Sequence, residues 1–471
     1  MVKYPISETL TNISRLMAVM AIVMIAAAGI SKNAFSQDSP DDDEEIKKGW
    51  NFGVLPAVSW DNDLGFQYGG LINLYHYGDG SRYPAYDHSI YLEASAYTRG
   101  SGIYRFMYDS DRLIKDIGLT VDLSYIPNQA YNFFGWNGYE AVYNPQWEDD
   151  TQPDSIYRTR VFYRYQNKMF RFKTDLNGTI RGNWKWLAGL SWYDFDIGQV
   201  DIDRLNKGKD EADKLPPLTE EPTLYNKYLE WGLIPENEAT GGSMALLKVG
   251  LMYDSRDNEP NPMKGIWSEL ALEGAPGFLG SINEGFLKLS FIHRQYFTII
   301  PKDLSFAGRF ALQTTIAGHA PYYIQPLIIT SKLRGATEEG LGGVRNLRGI
   351  PRNRVVGDGI AYANFELRWK FFRTRLFNQN FYFGLNLFTD AGRVIQEIDI
   401  PQNVLVEYDK VPVDEFYPDY FDLGAESLHI SYGLGLRIAM NQNFIIAVDY
   451  GRATNDRDGT SGFYVGLNYL F

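Results

Sequence analysis

From Asn51 to the end of the chain, apolar side chains recur at every second position, the period of a strand and not of a helix. In the last segment Phe463, Val465, Leu467, Tyr469 and Phe471 share one face, and Tyr464, Gly466 and Asn468 share the other. Upstream, Leu428, Ile430, Tyr432, Leu434, Leu436 and Ile438 alternate with His429, Ser431, Gly433, Gly435, Arg437 and Ala439. Phe444, Ile446, Val448 and Tyr450 repeat the pattern, as do Trp184, Trp186, Ala188, Leu190 and Trp192. A soluble sandwich would place long charged side chains opposite such a face, toward bulk water. Here the opposite face is Gly, Ser, Asn and Tyr, which suits an enclosed lumen, while aromatics near strand ends suit lipid head groups. Backbone in hydrocarbon must satisfy every N–H and C=O, which forces closure. The pattern predicts an all-β chain, a 16-stranded antiparallel transmembrane β-barrel over residues 51–471.

The strands are expected near 51–60, 64–76, 87–98, 101–109, 116–126, 158–180, 184–196, 243–254, 265–273, 284–298, 303–316, 359–370, 380–390, 428–439, 443–450 and 461–471. The long connections 127–157, 197–242, 317–358 and 391–427 all follow odd-numbered strands, so they emerge on one side of the membrane. Met440-Asn441-Gln442 and Pro301-Lys302-Asp303 are among the tight turns on the other side. Long loops outside and short turns in the periplasm are the asymmetry of a bacterial outer-membrane barrel.

The N-terminal region reads as an address. Lys3 and Arg15 precede an apolar run from Leu16 to Ile30, and Ala34-Phe35-Ser36 fits the small-x-small rule for cleavage. Residues 1–36 are therefore expected to be a cleaved signal peptide, the run being short for a span of about twenty residues. Residues 37–50, with Asp41-Asp42-Asp43-Glu44-Glu45, are expected to form an acidic, flexible tether. Composition narrows the function. With no cysteine there is no disulfide framework, thiolate metal site or cysteine nucleophile. A formal charge of −13 argues against nucleic acid as a partner. The five histidines, His76, His88, His293, His319 and His429, show no metal-ligand spacing, and no nucleophile elbow or phosphate loop is present. No catalytic residue, metal or cofactor is expected.

One loop stands apart. Residues 342–354 read Gly-Gly-Val-Arg-Asn-Leu-Arg-Gly-Ile-Pro-Arg-Asn-Arg, with four arginines among glycines. In the next strand Phe365, Leu367 and Trp369 alternate outward, so Asn364, Glu366 and Arg368 point inward. In the strand after it, Phe383, Leu385 and Leu387 point outward, leaving Phe388 and Asp390 inward. An unpartnered carboxylate in a confined lumen costs several kcal/mol, and one guanidinium fork can satisfy two. The loop is therefore expected to fold into the lumen with Arg348 against Glu366 and Asp390, and with Gly349 permitting the tight turn.

These residues resemble the BamA/TamA superfamily of outer-membrane assembly and translocation barrels, also called the bacterial surface antigen family. The likeness rests on the Leu-Arg-Gly-Ile element, the Asn-Phe-Glu-Leu-Arg strand and the Phe-Thr-Asp-Ala-Gly-Arg strand. It extends to Tyr253-Asp254-Ser255-Arg256-Asp257 with Pro262-Met263-Lys264-Gly265, which is similar to the family's periplasmic turn. The resemblance implies a loop-to-lumen lock at Arg348, Gly349, Glu366 and Asp390. It also implies a C-terminal assembly signal at Tyr469 and Phe471, and a lateral gate between the first and last strands. Leu347 and Ile350 are loose matches to the family's element. Periplasmic POTRA domains are the family's usual client-binding part, and the fourteen residues from 37 to 50 are too few for one.

Within the first strand, either Gly53 and Pro56 weaken that seam, because proline has no N–H to give to a ladder, or Pro56 faces a bulge or a rim and has no such role. The leading expectation is a plugged barrel with a weak seam that aids insertion or transport of proteins or lipids. Its expected partners are outer-membrane lipid, protein or lipid clients, and complex subunits. The competing expectation is a passive pore or a structural subunit of an outer-membrane complex.

Overall fold

A computed structural model of the chain describes residues 45–61, 65–282, 284–330, 340–400 and 420–471. The expected signal peptide and residues 37–44 of the tether lie outside the described residues. The described residues form sixteen strands in one antiparallel sheet. β1 is split into Trp50–Pro56 and Ser59–Asp61, both paired with β2, Gly65–His76. There follow β3 (His88–Tyr97), β4 (Gly102–Ile114), β5 (Ile117–Asn132), β6 (Arg164–Arg181), β7 (Trp184–Gly198) and β8 (Gly241–Asp254). Next come β9 (Gly265–Ala275), β10 (Phe286–Ile300), β11 (Leu304–Gly318), β12 (Gly359–Leu376) and β13 (Gln379–Gln396). β14 (His429–Met440), β15 (Phe444–Ala453) and β16 (Ser461–Leu467) complete the set.

The predicted alternation holds across the wall. Phe365, Leu367 and Trp369 are exposed on the outer face, and Asn364, Glu366 and Arg368 are buried on the inner one. On the periplasmic side, two-residue and three-residue turns join β4 to β5, β6 to β7, β10 to β11, β12 to β13 and β14 to β15. There Lys302, Phe377, Asn378, Asn441 and Gln442 all adopt positive φ, as tight hairpins require. Several strands differ from expectation at their ends. β6 begins at Arg164 and not at 158, and β12 and β13 each run to 18 residues. The apolar alternation marks only the stretch that meets lipid, whereas the hydrogen-bonded ladder continues past it to carry the loops.

The last strand departs further. It ends at Leu467, and Asn468, with φ +68°, turns the chain inward. Tyr469 and Phe471, expected on the lipid face of a strand reaching 471, are buried in the lumen instead. Among the described residues no ladder joins β16 to β1. Their periplasmic ends overlap through side chains. Phe444 and Leu467 pack with Tyr75, Leu55 and Leu71, which lie on the inner face of β1 and β2. Phe444 was expected to meet lipid; its ring sits where a side chain on Gly53 would otherwise be.

Segments outside the strands pack at both ends of the barrel. On the periplasmic side the Glu45 carbonyl accepts from Asn380 Nδ2, Arg375 bonds Glu45, and Lys47 Nζ donates to the Asn378 carbonyl. Residues 45–49 thereby strap the start of β1 to the β12–β13 turn. On the extracellular side, residues 133–163, 199–240, 319–330 and 420–421 build an aromatic dome. It includes Phe133, Trp136, Tyr163, Tyr225, Tyr228, Tyr322, Tyr420 and Phe421, against which Tyr165 of β6 packs. Rings that interlock edge to face at this density carry both apolar burial and quadrupole attraction.

One polar clasp joins two loops of the dome. His319 Nε2 lies 2.8 Å from Glu238 Oε1, and the Tyr322 N–H donates to Glu238 Oε2 at 3.0 Å. The hydrogen bond to Glu238 raises the His319 pKa above its ordinary value, against a lowering by burial. A raised histidine pKa stabilises the folded state fully below the unfolded value of about 6.5, and that contribution is lost as pH rises through the folded value. Hydrogen exchange at the Tyr322 amide, corrected for intrinsic rate, should be slower at about pH 6 than at about pH 9. The His319→Ala variant should lose that difference.

Candidate functional site

The loop after β11 enters the lumen in a descending limb, residues 325–330. Gln313 Nε2 donates to the Leu327 carbonyl at 2.7 Å, and the Ile329 N–H donates back to Gln313 Oε1 at 2.9 Å. Lower down, Lys173 and Lys248 both donate to the Thr330 carbonyl, at 2.7 and 3.3 Å. The returning limb is a compact hairpin. Asn346 staples it: its Oδ1 accepts from the Gly342 and Leu347 N–H groups at 2.6 and 2.7 Å, and its Nδ2 donates to the Gly340 carbonyl at 2.9 Å. Leu347 and Ile350 are fully buried with Leu341, Val355, Ile360 and Val394, so they form the apolar centre of the plug.

Arg348 is at the tip and has no solvent exposure. Its Nε and Nη2 form a fork on Asp390, each at 2.9 Å, and its backbone N–H donates to the same carboxylate at 3.1 Å. Nη1 donates to Glu366 Oε1 at 2.6 Å. Asp449 on β15 stands 3.9 Å away, and the guanidinium lies 3.5 Å above the Phe388 ring. The carboxylates have further donors: Asn364 Nδ2 on Asp390 at 2.8 Å, and Arg368 Nε on Glu366 at 2.8 Å. The barrel register makes this meeting possible. Asn364 stands opposite Asp390, and Glu366 stands opposite Phe388, one step nearer the periplasm.

Gly349 has φ +98° and lies on the wall itself. An added Cβ would come within 2.5 Å of the Gly451 carbonyl carbon, and its N–H donates to the Tyr464 hydroxyl at 2.9 Å. Gly433, Gly451 and Gly462 are direct cross-strand partners on β14, β15 and β16. Three aligned positions without side chains leave the floor on which the plug tip rests. Beside it, Arg437 forks onto Asp449 at 2.8 and 3.0 Å, in room that Gly435 vacates.

The structure thus brings together Arg348, Gly349, Glu366 and Asp390. It places Gly53 and Pro56 elsewhere. Gly53 receives the Phe444 ring, and Pro56 is the last residue of the first β1 segment, opposite Gly70. Tyr469 and Phe471 lie close to the plug cluster. The Arg368 guanidinium is 4.4 Å from the Tyr469 ring centroid, and its Nη2 donates to the Phe471 backbone oxygen at 2.9 Å. Sequence reasoning missed Tyr464, Gly451 and Asn346. Inward glycines in three consecutive strands were the available signal for the floor. Among the described residues no cluster of three or more His, Asp or Glu is arranged to hold a metal ion.

Removing Arg348 leaves two buried carboxylates short of their main cation, a loss of about 3–5 kcal/mol for breaking a buried pair from one side. Arg348→Ala should therefore lower the denaturant midpoint of the barrel in detergent. Arg348→Lys, a point charge without a fork, should fall between the two. An unaltered midpoint in Arg348→Ala would contradict this account of the cluster.

An Omp85 superfamily domain matches residues 117–471. Among solved structures, the chain is similar to CdiB from Escherichia coli, at 10% identity over 89% of this chain and 62% of that one, with a TM-score of 0.51. It is also similar to BamA from Haemophilus ducreyi lacking POTRA domains 1-3, at 14% identity over 90% and 71%, with a TM-score of 0.47. For CdiB from Acinetobacter baumannii the values are 14%, 90% and 60%, with a TM-score of 0.45. The chain spans less than two thirds of either CdiB structure. At such identities the likeness is one of fold. Comparison with curated protein sequences finds no match.

Proposed function

The chain belongs to the Omp85 superfamily of outer-membrane β-barrels, and we propose that it inserts or moves a polymer, an outer-membrane protein or a lipid, through a plugged barrel that opens at its seam. The Arg348 cluster is the observation that carries this reading. A guanidinium held by two carboxylates and a ring, all without solvent exposure save the ring at 5%, is a built latch and not an idle loop. The latch reaches the seam by two routes. Gly349 bonds Tyr464 on β16, and Glu366 shares Arg368 with the tail that continues β16.

The seam supports the same reading. Strand edges in a barrel wall are ordinarily consumed by closure, yet β1 and β16 meet through side chains alone among the described residues. A side-chain lap can part without breaking a backbone ladder. A standing pore fits less well, because the dome, the plug and the inward tail occupy the path such a pore would need.

In planar bilayers the wild-type barrel should be nearly silent, and Arg348→Ala should pass frequent or steady current. Equal conductance in the two would overturn the plug as a latch. The seam can be tested separately, since the chain has no cysteine of its own. Leu55→Cys with Leu467→Cys, both in the overlap cluster, should crosslink and then block assembly or export activity in cells until reduced. Full activity in the crosslinked barrel would remove the gate and leave the latch standing.

A further inference from the structure

We propose that the inner wall beside the plug carries an anion site centred on Arg294, which takes a phosphate-type oxyanion. The register sets out its parts. On the inner face, Trp267 of β9 stands opposite Arg294 of β10, and Arg294 stands opposite Arg309 of β11. Two guanidiniums directly opposite one another on a sheet repel and are destabilising unless their charge is answered. Arg309 is answered: it donates to Asn364 Oδ1 and to the Arg345 carbonyl, both at 2.8 Å. Arg294 is not. Among the described residues it takes part in no ion pair, and its Nε meets no acceptor.

What Arg294 has is a ring. Its guanidinium carbon lies 4.1 Å from the Trp267 ring centroid. Stacking satisfies the face of a guanidinium and leaves the N–H groups on its edge without acceptors. The orphaned groups beside it are donors, and Glu269, two residues from Trp267 on β9, is buried there as well. Trp267 Nε1, the Tyr296 hydroxyl and Arg368 Nη1 are each buried without a hydrogen-bond partner among the described residues. Tyr296 is two residues along the same face as Arg294, and Arg368 lies 5.7 Å from the Tyr296 ring centroid. An orphaned buried donor has given up its water without a replacement, a cost that is larger when the donor is charged. One oxyanion would answer several of them.

The orphaned donors come from three strands, β9, β10 and β12. A tetrahedral group offers acceptors on all sides, as a planar carboxylate does not. Arg294 keeps 9% exposure, although its Nε is itself buried. The same phosphate chemistry can come from the head group of a lipid or from free phosphate.

The test uses the full chain in detergent micelles and phosphate-free buffer. Inorganic phosphate is titrated by calorimetry and by the thermal midpoint, and bound phospholipid is read by native mass spectrometry. Wild type should bind phosphate saturably, and Arg294→Gln should bind it roughly tenfold more weakly or not at all, the loss of one charge-assisted hydrogen bond. If phosphate alone is inert but a phospholipid co-purifies with wild type and not with Arg294→Gln, a lipid head group is the source. Arg294→Gln is first checked for folding by its heat-modifiable gel shift. Should it fail, Trp267→Phe, which keeps a ring and deletes the Nε1 donor, is read in its place. Absence of both ligands in wild type overturns the site and leaves water as its occupant. Binding or stabilisation that persists in the variant is a solvent effect and overturns it equally.

Discussion

A guanidinium held in a dry place by two carboxylates organises this barrel. Arg348 cannot leave Asp390 and Glu366 without stranding charge in a lumen that offers little water. Much of the interior is arranged to keep it there. Asn364 and Arg368 saturate the remaining oxygens, Phe388 supplies a flat surface under the fork, and Asn346 folds the hairpin so that its tip is rigid. A buried ion pair of this kind is weak evidence for net stability, since an apolar core of the same volume would often do as well. Its worth lies in geometry: the fork accepts one arrangement of plug and wall.

The wall is divided to match. β9 to β13 present charged and aromatic side chains inward, including Arg294, Arg309, Glu366, Arg368 and Asp390. β14 to β16 present a row of glycines, so the backbone of the plug can lie directly on the backbone of the wall. One side holds the plug by specific bonds, and the other supports it by shape. The glycine side is also the side nearest the seam, where the strands are shortest.

Much of this was legible in the residues. Strict alternation identified the inner and outer faces, and with them the pairing of Arg348 with Glu366 and Asp390, because a lumen-facing carboxylate needs a partner. The strand ends were less legible. Ladders persist beyond the lipid-facing stretch in β12 and β13, where side-chain polarity no longer reports on them. Tyr469 and Phe471 kept the outward phase in sequence, yet the chain turns at Asn468 and brings them to Arg368, which their own pattern could not reveal. The dome was hidden for another reason. Its rings come from four separate connections, and composition alone assigned such residues to the lipid head-group belt. The glycine floor needs the registers of three strands at once.

Arg368 has a particular position among these contacts. With Nε it serves Glu366, the carboxylate that grips the plug, and with Nη2 it serves the last residue of the tail. Two movable parts therefore draw on a single side chain. If plug and tail are coupled through Arg368, thermodynamic linkage makes the coupling reciprocal: a ligand that weakens one contact changes the other by the same factor. Contact made at one end of the barrel would be felt as a change of affinity at the other, with no rearrangement of the strands between.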